Sequence, residues 1–183
     1  PVVTAWNATD LIPHDDPMFA GIPGLLGDRP GNWAVQNADL ILSAGCRLGC
    51  RQAGYDVRSW AREAYVIMND ADPYELKKPS IHVEMPVQAD VSQFLAKLCK
   101  ALKEPLKPHE EWMQVCRQWR RKYPVVTEKH CRPDMPVNPY CFLKEISSAV
   151  SADQHIVLGN GTPQACLHAI KIKEHTRLIC NSG

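Results

Sequence analysis

No stretch of this chain approaches the roughly 20 consecutive apolar residues that cross a bilayer, and its opening, Pro1-Val2-Val3-Thr4, has neither the charged start nor the apolar core of a signal peptide. Charge of one sign is lacking too. The 21 basic and 20 acidic side chains leave a net +1, which removes the electrostatic argument for a nucleic-acid-binding protein. The eight cysteines contain no C-x-x-C pair, and Cys46 and Cys50, with three residues between them, come nearest. The two close ligand pairs of a structural zinc site are therefore missing. H-x-x-x-H, H-E-x-x-H, G-x-S-x-G and P-loop patterns are also absent, so the sequence offers no motif for zinc peptidase, serine hydrolase or nucleoside triphosphatase chemistry.

What is present suits a globular chain. Its 183 residues match one domain or one and a fraction, and 45% hydrophobic residues suffice for a core. A chain this long builds that core without staples, so Cys46, Cys50, Cys99, Cys116, Cys131, Cys141, Cys166 and Cys180 are expected as free, buried or half-buried thiols. The expected compartment is reducing cytoplasm. Asn7-Ala8-Thr9 and Asn160-Gly161-Thr162 read as chance sequons. The chain opens without Met, and is expected to be a piece of a longer protein.

Short apolar runs alternate with helical patterns, the mark of an α/β layer fold. Val2-Val3-Thr4 reads as the tail of a strand. Residues 10–31 hold Pro13, Pro17, Pro23 and Pro30 with Gly21, Gly24, Gly27 and Gly31, a density that forbids regular helix and predicts a long connection. A short helix is expected over 32–37, buried strands over 39–44 and 65–69, and a weaker strand over 81–84. From the N-cap Asp90, Val91, Phe94, Leu95, Leu98 and Leu102 follow helical spacing. Burying these five side chains would contribute on the order of 7–15 kcal/mol before entropy. Pro105 and Pro108 end that helix. A second helix, 109–123, carries Trp112, Val115, Cys116, Trp119 and Tyr123 on one face, expected to pack on protein rather than RNA. Beyond a proline-rich stretch, Asn138-Pro139 reads as a helix cap and first residue. A strand at 156–158, a short helix from Pro163 and a strand at 177–180 follow.

Two places have the local pattern for nucleotide or phosphate binding. Strands ending at Gly45-Cys46-Arg47 and at Asp70-Ala71-Asp72 put a glycine and carboxylates where ligands of open α/β sheets sit. The same residues also read as strand-end turns with a capping Asp. Gly159-Asn160-Gly161-Thr162, between a strand and a helix, has backbone amides for a phosphate, and also reads as a plain tight turn. Asp15-Asp16 is taken as solvated loop charge, and Glu110-Glu111 as an acidic helix start. The seven histidines form no catalytic or metal spacing.

Taken in order, the segments Pro1-Val2-Val3-Thr4, Asp16-Pro17-Met18-Phe19-Ala20-Gly21 on to Gly24 and Gly27, Asn32-Trp33-Ala34-Val35 with Ala38-Asp39-Leu40, Gly45-Cys46-Arg47, Asp70-Ala71-Asp72-Pro73-Tyr74-Glu75-Leu76 and Ala89-Asp90 resemble the central domain of thiamine diphosphate-dependent enzymes of the acetolactate synthase type. Asn138-Pro139-Tyr140, Gly159-Asn160-Gly161-Thr162 and Asn181-Ser182-Gly183 resemble the opening of that family's diphosphate-binding domain. The resemblance implies a Rossmann-like three-layer parallel sheet over 1–103, with its first strand and helix preceding Pro1. It further implies a linker with one amphipathic helix over 104–137, and the start of a second α/β domain over 138–183. It implies thiamine diphosphate and Mg²⁺ in a longer parent that acts on 2-oxo acids, is a homodimer or homotetramer, and binds neither nucleic acid nor membrane. The activating Glu and the Gly-Asp-Gly…Asn metal motif of the family lie outside these residues, so no catalytic residue and no metal ligand is assigned and the chain alone is expected to be inactive. FAD or ADP is implied at Gly24, Leu25, Leu26, Gly45, Arg47, Asp70, Ala71, Asp90 and Val91, and diphosphate at Asn160, Gly161 and Thr162. Leu25-Leu26 stands where the family has Met-His, and Leu48-Gly49-Cys50-Arg51 where it has Phe-Asp-Asp-Arg. A stand-alone Rossmann-like nucleotide-binding module, or a structural interdomain module, is the alternative from outside enzymology.

Overall fold

The computed structural model describes residues 1–104 and 106–181. Pro105, expected to help close a helix, and Ser182-Gly183, the end of the diphosphate-domain pattern, lie outside them. In chain order the elements are β1 (Val2–Val3), β2 (Phe19–Gly21), α1 (Arg29–Gln36), β3 (Leu40–Ala44), α2 (Cys50–Ala53), β4 (Tyr65–Asp70), α3 (Pro73–Lys77), β5 (Met85–Gln88) and α4 (Val91–Ala101). Then come α5 (Glu110–Lys122), α6 (Pro139–Ala149), β6 (His155–Leu158), α7 (Thr162–Ala165) and β7 (Arg177–Cys180). All strand pairings among the described residues are parallel: β1 with β2, β3-β4-β5 in that order, and β6 with β7. That is the expected α/β class. The chain forms two compact units, Pro1–Ala34 with Glu111–Gly183, and Val35–Glu110.

The first unit is built where the sequence predicted only a connection. The exclusion of helix over 10–31 fails at its end, where α1 takes in Arg29, Pro30 and Gly31 because proline is tolerated in a first helical turn, and Phe19-Ala20-Gly21 forms a fully buried strand beside β1. Its side chains feed two cores. Phe19 and Ile22 join Leu143, Leu158, Leu167, Ile170, Ile172 and Leu178. Ala20, with no exposed surface, meets Ala34 and Cys116, flanked by Val3, Trp112 and Trp119. Trp119 stands edge-on to Trp33 and Trp112 at 5.6 Å, and Tyr123 edge-on to Trp33 at 4.8 Å. The aromatic face of α5 thus packs on protein, as its sequence predicts. Asn138 caps α6 by accepting the Tyr140 amide at 2.9 Å, with Pro139 at the first helical position.

In the second unit the ladder pairs Leu40 with Tyr65, Leu42 with Ile67, and Ile67 with Met85. The third strand runs over 85–88, not over 81–84 as expected. Glu84 still joins the ladder, because its carboxylate accepts the Val66 amide at 2.6 Å and its own amide donates to Val66 at 3.1 Å. Pro86 is tolerated because β5 ends the sheet. Asp90 caps α4 as predicted, accepting the amides of Ser92 and Gln93 at 3.0 and 3.1 Å. The predicted burial of that helix is not realised. No residue of α4 is fully buried, and Leu95 and the following Leu102 are 40% and 41% exposed. On the sheet, Leu40, Leu42, Tyr65 and Met85 are also exposed.

The cysteines correct the sequence reading. Cys131 and Cys141 form a disulfide, with Cα atoms 5.4 Å apart, because the chain doubles back between a short 3₁₀ turn ending at His130 and the first turn of α6. A spacing of ten residues does not announce such a reversal. Cys50, first residue of α2, and Cys99 on α4 are exposed rather than half-buried, while Cys116 and Cys166 are buried as expected. Alkylation in denaturant of protein equilibrated under oxidising conditions should therefore modify six thiols before reduction and eight after, with reduction costing the folded chain about 2–3 kcal/mol in chemical denaturation. Eight modified thiols without reductant would contradict the pairing.

Candidate functional site

Parallel strands bring their carboxyl ends to one edge, and in the second unit that edge gathers Gly45, Asp70, Asp90 and Val91. Gly45 sits at φ +60, and a Cβ there would lie 3.3 Å from Val91 Cγ2, so both the turn and the approach of α4 require glycine. Its amide donates to the Asn69 carbonyl at 3.0 Å. Asn69, fully buried, donates its side-chain amide to the carbonyls of Val87 and Ala89 at 3.1 and 2.9 Å, tying β4 to the turn that delivers Asp90. The acids at this edge hold the chain itself. Asp70 accepts the Asp72 amide at 2.9 Å, Asp72 caps α3 through Tyr74 at 2.9 Å, and Asp90 caps α4. Arg47 pairs with Glu75 at 3.2 Å, and Glu75 also takes Lys78 at 3.0 Å, whose ammonium donates to the Arg47 carbonyl. Ala71 is exposed in the turn between Asp70 and α3.

Gly24, Leu25 and Leu26 lie in the first unit. Gly24 exchanges two hydrogen bonds with the Asn32 side chain, at 2.9 and 3.1 Å, while Leu25 and Leu26 are exposed. This loop is pinned at its base by Asp28, which the sequence reading passed over. One Asp28 oxygen accepts the Gly31 amide at 2.6 Å, the other the Ile22 amide at 3.1 Å, and its own amide donates to the Ile22 carbonyl at 2.8 Å. A Cβ on Gly21 would lie 2.4 Å from the same carboxylate, so the clamp closes only over glycine. Burial lifts the Asp28 carboxyl to about 6, against the pull of the Gly31 and Ile22 amides and of Arg120. Beside it His14 stacks on Phe19 with ring centroids 4.2 Å apart and hydrogen-bonds the Thr9 carbonyl at 3.2 Å. Burial, helped by Arg120, pulls that imidazole down to about 4.

Asn160, Gly161 and Thr162 link β6 to α7 and are exposed. Gly161 adopts φ +99 with open space on its Cβ side, and its amide is taken by the Asn160 side chain at 2.9 Å.

Residues 1–98 match the family model for the thiamine pyrophosphate enzyme central domain. The chain belongs to this family. Similarity to its members extends beyond the matched residues. The chain is 29% identical to the acetolactate synthase large subunit of Corynebacterium glutamicum over its whole length, covering 29% of that protein. It is likewise 29% identical to the acetolactate synthase isozyme 2 large subunit of Escherichia coli K12, again over its whole length and 32% of that protein. A probable acetolactate synthase large subunit of Methanocaldococcus jannaschii is 29% identical over 82% of this chain and 25% of its own length. The chain thus spans about a quarter to a third of these curated relatives. The site residues inferred from the thiamine enzyme pattern fall into separate sets: Gly45 to Val91 meet at one sheet edge, while the Gly24 loop and the Asn160 turn belong to the other compact unit.

Asp28 and His14 titrate in the same window with opposite effects on folding. Asp28, raised above its unfolded value of 3.8, stabilises fully below that value and loses the contribution as pH rises to about 6. His14, lowered from 6.5, contributes above 6.5 and loses it as pH falls to about 4. Each amounts to about 3 kcal/mol, so the two slopes oppose between pH 4 and 6. Denaturation of Asp28→Asn should show stability rising with pH across this window, and of His14→Gln stability falling. Parallel curves for the two variants would refute the assignment.

Proposed function

We propose that this chain is part of a longer thiamine diphosphate-dependent enzyme that decarboxylates a 2-oxo acid or joins two of them, as its acetolactate synthase relatives suggest. In that parent the family's segments run over 1–103 for the central domain, 104–137 for a linker with one amphipathic helix and 138–183 for the opening of the diphosphate-binding domain, boundaries that the packing of 1–34 with 111–183 crosses. The observation that carries the reading is the family match over 1–98 together with relatives aligned along the whole chain. The exposed apolar face at Leu40, Leu42, Tyr65 and Met85 supports it, since parallel sheets are normally covered on both faces.

Thiamine diphosphate, when bound, supplies the electron sink for breaking or making a carbon–carbon bond next to a carbonyl. The exposed Asn160-Gly161-Thr162 turn would hold one end of its diphosphate once the Asn160 side chain releases the Gly161 amide. No carboxylate cluster for Mg²⁺ accompanies that turn among the described residues, where the one grouping of potential metal ligands is Cys131, Cys141 and Glu145. At the β3–β5 edge the groups expected to meet FAD or ADP serve the fold instead: Asp72 and Asp90 are caps, Asp70 closes a turn and Arg47 is paired with Glu75. That set does not fit a flavin, and the central portion acts as scaffold. This favours a structural role over the nucleotide-binding module as the second reading. The parent is proposed to be cytoplasmic and a homodimer or homotetramer. In that compartment Cys131 and Cys141 would be held as thiols.

The test is turnover of pyruvate, with thiamine diphosphate and Mg²⁺, by the protein expressed with its flanking coding sequence and by the 183-residue chain. The longer protein should form acetolactate or release carbon dioxide and the short chain should do neither; an inactive longer protein against a panel of 2-oxo acids would defeat the proposal. Flavin titration of the same samples should show no saturable FAD uptake through the central domain. Tight FAD or ADP binding by the short chain alone would establish the nucleotide-binding module instead.

A further inference from the structure

The cavity beside the Asp28 clamp uses none of the residues assigned to a cofactor. Its volume is about 260 Å³, below the roughly 300 Å³ at which pockets for drug-sized ligands begin, so it admits a small molecule and not a nucleotide. Phe19, Ile22, Val125 and Ile170 supply apolar wall. Three cations, Arg120, Lys144 and Lys171, line it against one carboxylate, Asp28. That carboxylate is spent, both oxygens being held by backbone amides.

The cations keep unused capacity. Arg120 gives one terminal nitrogen to the Phe19 carbonyl at 2.9 Å and the other to the His14 carbonyl, which leaves part of its five-donor fork unengaged. Burial lowers its pKa while Asp28 and Asp15 act to raise it, and the group stays charged. Asp15 is exposed and outside the lining. Lys144 has only a loose 3.8 Å approach to Glu145. The Lys171 ammonium has no ion pair among the described residues. His168 contributes another wall, and burial lowers its imidazole's pKa.

We propose that this cavity binds a small organic monoanion, a carboxylate with a short apolar body. The carboxylate sits among Arg120, Lys144 and Lys171, and the body lies against Phe19 and Ile170. Charge alone would also attract inorganic anions, and apolar wall alone would also take neutral molecules. The combination selects a molecule having both features.

The test is an NMR titration of the 183-residue chain with butyrate, its neutral isostere butyramide, and inorganic phosphate. Butyrate should produce saturable shifts at the His168 ring and at the amides of Ala169–Lys171, with butyramide and phosphate each at least tenfold weaker. Reversing the rim charge with Lys171→Glu should weaken butyrate at least fivefold while the remaining spectrum stays native. Lys144→Glu serves as the second variant should the first unfold. Equal binding of butyramide would eliminate the charge reading, and equal binding of phosphate the apolar one. Absence of saturable shifts with butyrate would overturn the site altogether.

Discussion

Arg120 reaches back 101 residues to the carbonyl of Phe19 and 106 to that of His14, and its guanidinium lies over the Phe19 ring at 4.7 Å. The rest of the first compact unit depends on this reach. A short buried strand has carbonyls that must be satisfied, and β2 has one strand neighbour, β1. α5 supplies the missing donor from its polar side, while Cys116, Trp112 and Trp119 close over Ala20 and Ala34 from its apolar side. Small residues make that approach possible. Ala20 leaves room for the helix, and Gly21 and Gly31 leave room for the Asp28 clamp. Charge, clamp and aromatic cluster therefore form one arrangement in which each part presupposes the others.

The second unit solves a different problem with the same chemistry. Its carboxyl edge has the residues that an α/β ligand site would use, yet Asp70, Asp72 and Asp90 each end a strand or begin a helix. A side chain that caps a helix has one oxygen committed and its rotamer fixed. The polar groups at this edge thus serve as fasteners of the chain itself. Membership of the thiamine pyrophosphate enzyme family and scaffold behaviour at this edge are compatible on these terms.

Much of this was legible in the sequence, where local rules dominate. Asp90 and Asn138 announced their helices because capping is a contact with the next few residues, and strands 40–44, 65–70, 155–158 and 177–180 followed from apolar runs. What escaped depends on contacts distant in the chain. Phe19-Ala20-Gly21 has too few residues, among too many prolines and glycines, to register as a strand, and is one because α5 and β1 cover it. Pro86 hid β5, since a proline penalises a strand except at an edge. The five apolar residues of α4 signalled a buried helix, but spacing reports which face is apolar and not what covers it. Of the candidate site, Gly45 and Asp70 were placed correctly at strand ends and Asp90 at a helix start. The Asp28 clamp and the Arg120 cavity were invisible, because an isolated Asp and an Arg in a basic helix end look like ordinary surface charge.

The claim on which this account rests is that residues 1–34 fold with 111–181 as one cooperative unit, although the family match runs continuously over 1–98. Native-state hydrogen exchange across a denaturant series tests it directly. The amides of Phe19–Ile22 should merge with those of α5, β6 and β7 at a common opening free energy, separate from β3–β5. Phe19–Ile22 exchanging together with β3–β5 and apart from α5 would contradict it.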